Sequence, residues 1–259
     1  MMRAERKSGS STTRIGIDRR LRLEWLERTA QMVLAGMTAP DVRAALEREL
    51  RPAFRCQDSA SNRSLSATIG VLLRIWVHTP ERLLPLRDEG LNFVAALAPS
   101  EHLAVHWGMT MAVYPFWGAV ATQVGRLLRL QKMMAARQVQ QRLREQFGER
   151  ETVSRAGRRV LRSYVAWGVL NDTETKGVYT LAKPRPVTDL KLVAWLGEAV
   201  LLGSPINGFV SLRELVAHPA LFPFSLKAAT GAQLAEASPR LGLVRHGLDE
   251  ELIFLERPG

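Results

Sequence analysis

Cysteine is nearly missing from this chain: Cys56 stands alone among 259 residues. One thiol excludes an intramolecular disulfide and a cysteine-based zinc cluster, and it fits a reducing, cytoplasmic setting. Cys56 itself reads as a small, half-buried hydrophobe. An apolar leader is missing too, because residues 1–20 are polar and basic with no hydrophobic segment among them. Long hydrophobic runs are limited to 104–125, where His106 is the one ionisable residue. That run holds three glycines, Thr110, Thr122, Gln123 and, near its middle, Pro115. Proline suits the first turn of a helix and breaks its interior, so the run is expected to be two buried helices rather than a membrane span.

Signatures of catalysis are also absent. The chain has no glycine-rich phosphate loop ending in Gly-Lys-Ser/Thr, no G-x-G-x-x-G and no G-x-S-x-G. His102 and His106 stand four apart on one helical face and could share a metal, but a zincin needs Glu directly after the first histidine and Leu103 is there. His78, His218 and His246 fall at element ends, where a turn hydrogen bond explains them, and Asp249-Glu250-Glu251 reads as a solvated turn. The expectation is a non-enzymatic protein with no cofactor and no metal.

Positive charge is present in excess, and it is concentrated. The net charge is +11, yet residues 1–22 carry +5 and residues 126–187 carry +9, while 23–125 and 188–259 are slightly acidic. Localised basicity is what a polyanion-binding surface requires, since its affinity comes from neutralising phosphates and releasing counterions. Residues 1–18 lack periodicity and are expected to be a disordered basic arm whose Arg3, Arg6 and Lys7 could track phosphates.

From Arg19 the apolar spacing becomes helical. Leu23, Leu26, Ala30, Val33 and Leu34 form one face, ending at Gly36; Val42, Ala45, Leu46 and Leu50 form a second; Leu65, Ile69, Leu72, Leu73 and Trp76 form a third. With helices near 91–98 and 101–112, these make an all-helical block over 19–115. A helix at 116–130 then opens a new unit.

In that unit Val139, Leu143 and Phe147 recur at every fourth position and Gly148 stops the helix. A second helix starts near Glu151 with Val153, Gly157, Val160, Leu161 and Tyr164 inward, and a polar stretch 171–177 leads into Val178-Tyr179-Thr180-Leu181. This succession resembles the winged helix-turn-helix superfamily over 133–186, and the helix at 116–130 can serve as the first helix of a domain spanning 116–186. The resemblance implies that the second helix enters the major groove of duplex DNA. Its outward residues fit that role: Arg155, Arg158 and Arg162 form a stripe, flanked by Arg159 and Thr152, with Ser154 at its N-terminal end. Arginine can fork onto guanine or straddle a phosphate. Arg137 on the preceding helix, and Lys176 and Lys183 on or beside the wing, complete the expected contact set.

Asn62-Arg63-Ser64-Leu65, Leu72-Leu73-Arg74 and Thr79-Pro80-Glu81-Arg82-Leu83 resemble the BrxA family of BREX phage-defence systems. That resemblance implies a non-catalytic DNA-binding component working with other proteins of its operon. Beyond the Pro184-Arg185-Pro186 break, a helix at 190–202, a capping box at Ser211–Glu214, a helix near 231–237 and strands at 241–246 and 252–256 repeat the order over 187–259. This second winged-helix-like unit with its small β-hairpin lacks the arginine stripe, and is expected to serve packing, homodimer formation or partner contact. The fold expected is mainly α. The alternative to a DNA-binding regulator or defence component is a protein-interaction scaffold.

Overall fold

In a computed structural model, which describes residues 15–54, 59–204, 208–246 and 250–256, the chain is mainly helical with three small sheets. Arg3, Arg6, Lys7 and Cys56 lie outside the described residues.

Five helices build the first part: α1 (Leu23–Leu34), α2 (Ala39–Leu50), α3 (Ser59–Trp76), α4 (Leu84–Ala96) and α5 (His102–Val113). Each of α1 to α3 buries the apolar face expected of it, except that Leu34 stays exposed and Leu23 and Val33 are half-buried. Helix α1 ends where Gly36 takes φ +73°, and Thr38 caps α2 by accepting from the Asp41 amide. Helix α4 begins earlier than expected, with Pro85 in its first turn after the 3-10 turn Glu81–Leu83. Residues 15–18, expected to belong to the arm, are packed instead: Ile17 and Leu21 are fully buried.

Pro115 divides the apolar run as expected. Helix α5 stops at Val113 and α6 spans Pro115–Leu130. Among the described residues no helix is long and apolar enough to cross a membrane.

Helix α6 is followed by β1 (Met133–Ala135), α7 (Ala136–Phe147), α8 (Glu151–Ala166), β2 (Leu170–Asp172) and β3 (Val178–Leu181). The three strands form an antiparallel sheet in the order β1-β3-β2, with Met133 opposite Thr180 and Leu170 opposite Leu181. Strand β1 leaves no trace in the sequence, because three residues give no alternation to detect.

After β4 (Arg185–Val187) the order returns: α9 (Leu190–Gly203), β5 (Val210–Ser211), α10 (Leu212–Val216), then β6 (Phe224–Leu226), α11 (Gly231–Ala237), β7 (Leu241–His246) and β8 (Glu250–Leu255). Its sheet has the matching order β5-β8-β7. The addition is β6, which pairs in parallel with β4. Pro186 is tolerated there because a two-stranded sheet has free edges.

Neither unit stands apart from the helical part. Helix α9 is buried on nearly every side and packs along α5, where Gly108 leaves room for the ring of Trp195. Trp195 Nε1 donates to the Leu86 carbonyl at 2.9 Å. Trp107 of α5 donates to Ala220 O and meets Trp117, Tyr164, Trp167, Phe222 and Phe224 with ring centroids 4.8–6.0 Å away. One hydrophobic core therefore runs through all three parts.

Candidate nucleic-acid interface

Helix α8 takes its place through its apolar side. Val153, Ala156, Gly157, Val160, Leu161 and Tyr164 are buried. Gly157 lets the side chain of Leu143 on α7 approach; a Cβ there would sit 3.0 Å from Leu143 Cδ1. Tyr164 Oη donates to Trp117 O at 2.7 Å, tying α8 to α6. At about 100° per residue these positions leave the opposite arc to solvent.

That arc carries Glu151, Thr152, Arg155, Arg158, Arg159 and Arg162. Thr152 and Arg158 are exposed, and Arg158 has no ionic or hydrogen-bonding partner among the described residues. Arg155 is half-buried, and its Nε is covered with no partner. The other two arginines are held from the sides. Arg162 Nη1 bonds both carboxylate oxygens of Asp172 at 2.7 and 2.9 Å, which links the arc to the end of β2. Arg159 donates to the Asp18 backbone carbonyl and lies 3.4 Å from its carboxylate. Both pairs are partly solvated, so each contributes little to folding. What they do is fix two long side chains in place.

Ser154 is a correction to the sequence reading. It is only 9% exposed; in projection it lies beside Leu161 rather than beside Arg155, so it faces the protein. Lys176 is exposed in the turn between β2 and β3, which closes at Gly177 with φ +79°. Arg137 in the first turn of α7 and Lys183 beyond β3 are exposed, but no hydrogen bond or ion pair among the described residues joins them to the arc.

Residues 18–22 were missed as neighbours of this surface. The Leu21 amide donates to Ser163 Oγ at 2.8 Å, and Trp167 Nε1 donates to Leu21 O at 3.1 Å, so this segment runs along the flank of α8. Arg19, Arg20 and Arg22 come with it. The +5 charge of residues 1–22 is the signal of this surface that the sequence carries.

The first turn of α8 adds another feature. Its N-cap is Arg150, and no side chain caps the helix. Free amides and the positive end of the helix dipole favour an anion there.

The histidine pair is committed elsewhere. His106 Nε2 donates to Glu27 Oε2 at 2.8 Å, and His102 Nδ1 lies 2.9 Å from the same oxygen. Glu27 is held down at about 2, chiefly by the bond from His106, while burial lowers the His106 pKa. Among the described residues no group of three or more His, Cys, Asp or Glu is arranged to hold a metal ion.

Compared with protein-family models, curated proteins and solved structures, the chain matches none. Function is therefore read from the surface itself.

Proposed function

We propose that residues 116–186 act as a winged helix-turn-helix that binds duplex DNA, and that the protein is a non-enzymatic, cytoplasmic regulator or defence component. One observation carries this reading: the outer arc of α8 holds four arginines with Glu151 as the one acid on that arc, and only Arg159 and Arg162 meet carboxylates, those of Asp18 and Asp172 at its flanks. Helix α8 would lie in the major groove. Arg158, which is unpaired, and Arg155 are the candidates for base edges. Arg159 and Arg162, already positioned by Asp18 and Asp172, would meet phosphates, as would Lys176 at the wing. The uncapped first turn of α8 and the basic segment 19–22 support the same reading. Partner proteins of the same operon, or a second copy, would dock through the less basic unit 187–259.

Mobility shift on random duplex DNA tests it. If about five to eight cations meet phosphates, log affinity should fall with log salt at a slope of about −0.9 per contact. No binding at low salt, or a flat salt dependence, would leave the scaffold reading in its place.

A further inference from the structure

A second positively charged region lies away from the α8 arc, and it is concave. Two clefts of about 500 and 560 Å³ share Arg82 and Pro115 in their walls. The first is also lined by Gln123 and Arg126 of α6, Gln146 and Phe147 at the end of α7, the end of α9, and His218. The second includes Arg74 and Tyr114. Among the described residues no acid lines either one.

Gln123 is 8% exposed and Tyr114 is 5% exposed; neither side chain has a hydrogen-bond partner among the described residues, and the polar atoms of both stay accessible to solvent. Arg74 and Arg126 have no carboxylate partner among the described residues, and Arg82 donates only to the Leu202 carbonyl at 3.2 Å. His218 Nδ1 accepts from the Ala220 amide at 3.3 Å, which leaves the proton on Nε2 as a donor. Burial, with Arg126 and Arg129 nearby, pushes His218 down to about 4, so this ring is neutral near pH 7. The shortage of carboxylates indicates a site lacking negative charge. Pro115, Ala119, Phe147 and Leu202 add apolar surface to the lining of the first cleft.

We infer that this junction binds a small organic phosphate, its oxyanion held by Arg82 and Arg126 with Gln123 and His218, and its uncharged body against Phe147 and Leu202. Guanidinium forks and neutral N–H donors match phosphate oxygens. The volume is in the range of small-molecule sites. A duplex is too broad to enter a cleft of this size. The walls come from the helical part, from the α8-bearing unit and from the unit 187–259, so an occupant would brace all three against one another.

Calorimetry and thermal unfolding of the full chain test this, with phenyl phosphate and AMP as probes and benzoate and inorganic phosphate as comparisons. Phenyl phosphate or AMP should bind saturably and raise the melting temperature. Replacing both arginines, Arg82→Ala with Arg126→Ala, should weaken binding at least about tenfold, and Arg82→Lys with Arg126→Lys should retain part of it. Gln123→Leu should weaken binding several-fold, while Arg158→Ala on the α8 arc should leave it unchanged. Circular dichroism of each variant separates lost binding from lost folding. The inference is overturned if neither organic phosphate binds saturably, if the double alanine variant folds and binds like the parent, or if Arg158→Ala removes binding. Equal affinity for inorganic phosphate would overturn the role of the apolar lining, and tighter binding of benzoate would overturn the choice of phosphate.

Discussion

Helices α8 and α11 occupy equivalent places in two units built in the same order, and they face solvent with opposite chemistry. Helix α8 has sixteen residues and exposes an arginine arc; α11 has seven and exposes Ala232, Gln233 and Glu236. Their first turns differ as well. No side chain caps α8, whereas the Gly231 amide of α11 already donates to the Glu251 carboxylate at 2.7 Å, and Thr230 and Gln233 close a capping box. The position that could take a phosphate in one unit is filled by the protein's own carboxylate in the other. Inward residues set the shared order of elements; the outward ones decide what each unit can touch.

The sharpest way to break the comparison is to remove the arc. Changing Arg155, Arg158 and Arg162 together to Ala should lower duplex affinity about 100- to 1000-fold, roughly one phosphate or base contact per residue. Alanine at Arg213 and Arg245, exposed cations of the second unit, should change it less than about threefold. Mobility shift reads both, and similar losses from the two sets would mean that the units are not functionally distinct. The arginine triple should cost less than about 1 kcal/mol of stability, because the Arg162–Asp172 pair is solvated.

A second test concerns how each unit is attached. Glu198 of α9 is fully buried; it accepts from Ser238 Oγ at 2.5 Å and Arg240 Nε at 2.6 Å, and Arg240 also pairs with Glu89 of α4. Glu198→Ala should cost about 2–3 kcal/mol in urea unfolding, since it strands two donors inside. Asp18→Ala, which removes the 3.4 Å carboxylate contact of Arg159 but keeps its bond to the backbone carbonyl of residue 18, should cost less than about 1 kcal/mol. Equal costs would show that the two attachments are alike.

A further test is acid, and both units should share its effect. The Glu27 pKa is lowered from 4.5 to about 2, so the stability it contributes is present above pH 4.5 and is lost as pH falls toward 2. His106 acts in the same direction, because a buried neutral ring gains its proton on unfolding as pH drops below 6.5. Thermal unfolding against pH should therefore decline below pH 6.5 and again below 4.5. Glu27→Gln should flatten the lower step.

How much of this could be read from the chain depended on distance along it. Helices with a repeating apolar face were legible within a few residues, from Val42 through Leu50 on α2 to Gly231 through Ala237 on α11. Strands of two or three residues, such as Met133–Ala135 and Val210–Ser211, were not, since they are too short to alternate and exist because a partner strand is near. The arginine arc was legible as a spacing. Its holders were not: Asp18 lies 141 residues from Arg159, and no local pattern links them. Ser154 failed for a different reason, since small polar residues fit both a helix surface and a tight interior. The full burial of α9 also exceeded its one-sided apolar pattern, because the chain does not reveal that α5 and α11 will cover its remaining faces.

The indole of Trp107 has a consequence for how this protein can change over generations. It touches Trp117 of α6, Tyr164 of α8 and Phe222 and Phe224 beyond α10. A recombination that exchanged residues 187–259 for a foreign module would have to supply aromatic rings of matching shape and a carbonyl where Ala220 now accepts the indole proton. Exchange of that segment as a ready-made module would break these contacts, whereas single substitutions on the outer arcs leave them in place.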